Sequence, residues 1–267
     1  MKLGLVYEDL GEKNVLSAAF LGTLMEFPTS RQPATFALIV GALLLAGVFL
    51  TSCQSGSVRQ SVTRAECLRI AESYRVHTWT ATADNVRHGN DADGVRVDTP
   101  DENFSTPGAS PGWWKVGARN TGVPYQWGGI CTLAQFDEGV AAGRAAGDIY
   151  TERKRALLDG AVSREAVGID CSGYISRCWK LPRAYSTREL PTLCQRLHSW
   201  DELQPGDLLN THNAHCLLFA GWEDGKRRRL IAYETGSPPT WKVLRHGIDV
   251  AWLKAEGYQA FRYRGLR

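Results

Sequence analysis

No two of the seven cysteines form a CxxC pair, so the sequence lacks the paired-thiolate spacing on which structural zinc sites are built. Basic runs are equally scarce. The one tight cluster is "KRRR" at residues 226–229, behind the turn-like "EDG" of residues 223–225. With no aromatic or glycine-rich motif beside it, this cluster reads as a solvated hairpin edge, and nucleic acid is not an expected partner. The "DADG" of residues 91–94 shares part of a calcium loop but lacks the further spaced acidic positions and the distal Glu. No metal and no cofactor are expected. Nor does the uncharged run at residues 36–50, fifteen long, reach the about 20 residues needed to cross a bilayer.

What is present suits one main folded domain with appendages: 43% hydrophobic, 22% charged and 10% aromatic residues in 267, with a formal net charge of +3 spread over mixed-sign segments. The apolar run "FALIVGALLLAGVFL" follows Arg31 and leads into "LTSC", residues 50–53. Its length suits the apolar segment of a signal peptide. "LTSC" resembles the lipobox of bacterial lipoproteins. That resemblance implies cleavage before Cys53, lipid on its thiol and an exported protein anchored in the cell envelope; Gln54 after it resembles those sent to an outer membrane. An uncleaved anchor helix is the alternative. Glu8, Asp9 and Glu12 are out of place ahead of a signal peptide, so residues 1–52 are expected to be a leader whose true start is Met25.

A polar tether at residues 53–61 precedes a helix at 62–76, with Thr63 and Glu66 spaced as a capping box. Residues 88–114, rich in Gly, Pro, Asp and Asn, read as a long loop with at most short strands, closing a region 62–122. "YQWGG" at 125–129 reads as a strand end and turn or as a close approach of backbone to ligand. Residues 133–160 predict two short helices broken around Gly147 and Asp148.

The chemistry centres on "DCSGYISRCWKL", residues 170–181. Cys171, Tyr174, Ile175, Cys178 and Leu181 recur at helical spacing, and Asp170 is a competent N-cap. Cys171 would then sit in the first turn, where the helix dipole and free N–H groups favour a thiolate and can receive an oxyanion. Ser172 and Gly173 are small and leave that end open to a substrate. A thiol nucleophile needs a base from elsewhere in the chain. His215 opens the buried strand "CLLFAG", after a Pro-Gly turn and strand at 203–210; His212 is its rival, placed in an exposed loop. The next strand, "RLIAYETG", brings Tyr233, Glu234 and Thr235. Cys, His and a polar residue in that chain order form the layout of a papain-like triad. Cys67, Cys131, Cys178, Cys194 and Cys216 read as packing residues, with no pairing named by their spacing.

"YQWGG", "DCSG", "LQPGDLL" and "HCLLFAGW" together resemble the NlpC-type family of papain-like cysteine peptidases, which cleave the peptide stems of bacterial peptidoglycan. The resemblance covers about residues 123–263. It implies an α+β, papain-like fold, with the nucleophile helix packed on an antiparallel sheet whose first strand carries the base, in a catalytic domain at 123–267. It implies Cys171 as nucleophile, His215 as general base and Tyr125 as a substrate contact, with Ser172 beside it; peptidoglycan peptides and a membrane, through the lipid anchor, are the implied partners. The third triad position falls on Glu234, where the family usually has His, Asn or Gln; Tyr233 and His246 compete for it. Asp170 stands 41 positions after Gly129, a spacing usually short in the family, which implies a helical insertion at about 130–168. Amidase or acyltransferase chemistry on the same Cys and His, or an inactive wall-binding lipoprotein, are the alternatives.

Overall fold

Thr63 sits in extended backbone and its side chain accepts from the Glu66 N–H, which starts helix α1 (Arg64–Val76). The reciprocal half of the expected capping box is missing because the Glu66 carboxylate pairs with Lys180 at 3.0 Å instead. The computed structural model describes residues 61–104, 112–236 and 240–267. The expected leader, Cys53 and all but the last residue of the tether lie outside them. The protein is α+β. After α1 come the short strands β1 (Thr78–Thr80), β2 (His88–Asn90), β3 (Arg96–Asp98) and β4 (Arg119–Thr121), then α2 (Leu133–Ala141), β5 (Ala145–Ala146), α3 (Glu152–Leu157) and β6 (Ala166–Val167). These strands pair locally, β1 with β4, β2 with β3 and β5 with β6. Helix α4 (Cys171–Cys178) leads into β7 (Cys194–Arg196), β8 (Leu208–Asn210), β9 (Cys216–Trp222), β10 (Arg229–Glu234), β11 (Leu244–Asp249), helix α5 (Val250–Ala255) and β12 (Gln259–Tyr263).

Strands β7 to β12 form one antiparallel sheet in the order β11-β10-β9-β8-β12-β7. Alternation along each strand splits its side chains between two cores. Cys216 and Leu218 of β9 join Leu208 and Tyr233 in the larger cluster with α1 and α4. Leu217 and Phe219 join Leu209, Leu230 and Ala232 on the opposite face, where Val250 and Leu253 of α5 cover them. Burial on both faces makes "CLLF" read as a continuous apolar run rather than an alternating one.

The "LQPGDLL" segment ties this body together. Gly206 takes a φ of +91°, which a turn after Pro205 requires and which only glycine adopts without strain. Asp207, fully buried, accepts from the Gln204 N–H at 2.9 Å, from Arg64 at 3.1 Å and from Arg262 at 2.7 Å. One carboxylate thus joins the start of α1 and strand β12 to the turn before β8.

Three expectations about elements are corrected. The helix expected to carry the nucleophile ends at Cys178 rather than reaching Leu181, because Lys180 turns to φ +56° and Leu181 precedes a proline, which disfavours helix. Residues 186–197, expected as a helix or two turns, hold only a 3-10 turn at Leu190–Leu193 and then β7; Pro191 fits the first turn of a helix but donates no N–H to extend one. The strand that His215 opens is the third of the sheet in chain order, not the first, since β7 and β8 precede it. Between Gly129 and Asp170 the two expected helices are α2 and α3; β5 lies between them and pairs in parallel with β6, which follows α3.

Candidate active site

Two glycine-bearing segments, 41 positions apart, meet to build the site. Asp170 N–H donates to the Gly129 carbonyl at 3.0 Å, and Ile169 bridges both Tyr125 and Ile130. Asp170 is the N-cap of α4: its Oδ1 accepts from the Gly173 N–H at 2.5 Å and from the Ser172 hydroxyl at 3.0 Å. Gly173 lies so close to this turn that a Cβ there would stand 2.2 Å from the Gly129 oxygen. The helix start is seated against "WGG", and only glycine permits the approach.

Cys171 is the first residue of α4, with its thiol buried at the base of a cleft. The Cys216 thiol donates to its sulfur, and His215 adds both charge and a hydrogen bond; together they hold the Cys171 pKa well below the ordinary thiol value against the opposing effect of burial. His215 shows the complementary shift. Burial pushes its pKa down, but the charge of Cys171 and its bonds to Cys171 and Glu234 outweigh this and raise it to about 10. The two shifts have opposite signs, the thiol down and the imidazole up, in the direction of a thiolate–imidazolium pair.

His215 stands one residue before β9, held by a small loop. Its N–H donates to Thr211 Oγ1 at 3.0 Å, and the Thr211 hydroxyl donates back to the His215 carbonyl at 3.0 Å, with Asn213 at φ +55° between them. The imidazole Nε2 donates to Glu234 Oε2 at 2.7 Å, which leaves Nδ1 to serve the thiol. Glu234 is the last residue of β10, and its Oε1 is paired with His246 Nε2 from β11. Cys171, His215 and Glu234, singled out in the sequence, are thus brought into one hydrogen-bonded row. His246, a competitor for the third position, touches Glu234 rather than His215, and Tyr233 turns the other way to donate to Glu72 at 2.8 Å.

The cleft has a volume of about 380 Å³. Tyr125 and Ser172 both line it. Tyr125 is nonetheless largely a packed side chain: its ring lies 5.7 Å from that of Trp241 and so near Gly236 that a Cβ there would stand 2.3 Å from it. Burial, then the charge of Cys171, pushes its phenol pKa well up, so it stays protonated as a potential donor. The Ser172 hydroxyl is committed to Asp170. Tyr150, Arg155 and Leu158, from the segment between Gly129 and Asp170, also line the cleft, as does Arg188. His212 is exposed and does not line the cleft.

Several contributors were not legible beforehand. Cys216 read as packing, yet its thiol meets the sulfur of Cys171. Alternation along β9 is the signal that could have found it, since Cys216 shares a face with Leu218, toward α4. Thr211, Tyr150 and Arg155 carry no sequence signal of their own. Among the described residues, no group of three or more His, Cys, Asp or Glu is placed to hold a metal ion, and the six described cysteines are free thiols.

No protein-family model matches the chain, and no curated protein matches it.

Proposed function

We propose that the chain is a thiol hydrolase of the papain-like, NlpC-type kind, cleaving amide bonds in peptidoglycan stem peptides. The observation that carries this reading is the row Cys171–His215–Glu234, with the sulfur at a helix start and at the base of an open cleft. The placement of α4 against β9 and the order of Cys, His and acid along the chain support a papain-like description of the fold.

In the proposed reaction the Cys171 thiolate attacks the amide carbonyl carbon. The oxyanion is received at the helix start, where the Cys171 N–H is a first-turn donor. His215 Nδ1–H protonates the leaving amine as the C–N bond breaks, leaving a thioester on Cys171 and a neutral imidazole. That imidazole then takes a proton from water, whose oxygen displaces the sulfur and releases the acid. Glu234 keeps Nε2–H oriented and stabilises the imidazolium that forms at both ends of the cycle.

Digestion of purified peptidoglycan with the soluble part beyond Cys53, followed by mass spectrometry of the fragments, tests the substrate. New peptide termini that require Cys171 support the reading. Labelling of Cys171 by a thiol-directed activity probe without any fragment released would instead favour amidase or acyltransferase chemistry on another substrate. The proposed address is the cell envelope through lipid on Cys53, supported by "LTSC" after an apolar run of signal-peptide length. Cys53→Ser should release the protein from membranes or leave its precursor uncleaved; unchanged processing and membrane retention would refute the anchor.

A further inference from the structure

The carboxylate that serves the base is itself gripped from both sides. Glu234 gives Oε2 to His215 Nε2 at 2.7 Å and Oε1 to His246 Nε2. Glu234 and His246 come from β10 and β11, and His215 from the residue before β9, the strand on the other side of β10. In the β10–β11 register Glu234 stands opposite Leu244 and Ala232 opposite His246, which puts His246 on the face of Glu234 as its diagonal neighbour, within reach of long side chains. The middle of the row is the most buried: the Glu234 side chain is 5% exposed, against 22% for His215 and 43% for His246, on the edge strand β11.

We propose that His246 is a positioning residue for the reaction, acting through Glu234; this rests on the hydrolase reading above. The terminal torsion of a Glu side chain has a broad energy profile, so a carboxylate held at one oxygen can swing. A second donor on the other oxygen fixes its plane and keeps Oε2 aimed at His215. Without His246, Oε1 loses the donor that sets the carboxylate plane, Oε2 leaves the line of Nε2–H, and the imidazolium loses alignment with the partner that supports the Cys171 thiolate.

The test compares His246→Ala, His246→Gln, Glu234→Ala and the double variant Glu234→Ala/His246→Ala. His246 is partly exposed and fills no core volume, so the alanine variant should melt like the parent. Its kcat on stem peptides should fall roughly tenfold with KM unchanged, and its Cys171 should react with iodoacetamide at pH 6 more slowly by a similar factor. His246→Gln, whose side-chain amide nitrogen sits where the imidazole Nε2 does, should recover most of both. The double variant should lose no more than Glu234→Ala alone, because the two residues act as one unit. Parent-like kcat and alkylation in His246→Ala would overturn the proposal. So would fully additive losses, or a loss that follows a lowered Tm and is not recovered by glutamine. If the parent cuts no stem peptide but alkylation follows the stated pattern, the substrate assignment fails and the role of His246 stands.

Discussion

Cys171 and Cys178 occupy the two ends of one eight-residue helix, and their sulfurs meet opposite surroundings. Cys171 faces the Cys216 thiol and the His215 imidazole, which lower its pKa, whereas burial and then Cys67 drive the Cys178 thiol well above its ordinary value. Iodoacetamide at pH 6 should therefore label Cys171 on the order of a hundredfold faster than an ordinary exposed thiol of pKa about 8.5, and should leave Cys178 unlabelled in the folded state. Equal labelling of the two would return Cys171 to the packing class. Cys171→Ser should abolish hydrolysis while Tm moves by no more than about 2 °C, since the hydroxyl remains at a polar helix start. The pH dependence follows from the signs of the two shifts. A depressed thiol pKa keeps the thiolate as pH falls toward the folded value, and a raised imidazole pKa keeps the general acid as pH rises toward about 10. The chemical step should accordingly hold its rate through pH 8 and decline only on approach to about 10; a decline centred near an unperturbed imidazole value of about 6.5 would contradict the ion pair.

At the level of elements, the first turn of α4 is only as good as its seat on Gly129. Gly173→Ala places a methyl group 2.2 Å from that carbonyl oxygen, which the backbone must relieve by lifting the helix start. The expected cost is about 1–3 kcal/mol in urea unfolding, with Cys171 alkylation slowed as the first turn leaves His215. A variant with unchanged stability and reactivity would show that the contact between the two segments is slack. This dependence also marks where sequence reading stopped. Asp170 as a cap, Cys171 at a helix start, His215 at a strand start and Glu234 at the end of the next strand all follow from local spacing and alternation, and all were legible. The length of α4 was not, because it is ended by a left-handed Lys180, a residue type with no such preference. Equally hidden was the pairing of Glu234 with His246, which depends on cross-strand register that no local pattern in β11 specifies.

For the whole molecule, the α+β class was readable from a helix start followed by a series of short apolar strands, but the six-strand order was not, since β12 inserts between β7 and β8 from the far end of the chain. Asp207 illustrates the same limit. In the sequence it belongs to a motif suggestive of function, and in the fold it joins Arg64 and Arg262 across the body. Asp207→Ala leaves two arginines facing an emptied buried site and should lower unfolding free energy by about 3–5 kcal/mol. At low denaturant, where the chain remains folded, Cys171 should keep its alkylation rate. Loss of that reactivity without loss of stability would place Asp207 in the catalytic machinery instead.

The segment between Gly129 and Asp170 begins and ends at adjoining points of backbone: Ile130 pairs with Ile169, and the Cys131 N–H donates to the Gly168 carbonyl at 3.2 Å. Between those points Phe136, Val140 and Ala146 enter the main core and Asp148 bonds the backbone of Tyr125 and Trp127, so only the stretch from Tyr150 to Val162 is left to shape the wall of the cleft. Substitution where that wall faces the cleft, at Tyr150, Arg155 and Leu158, would therefore change what the proposed site admits without touching the backbone contact that holds Asp170 to Gly129.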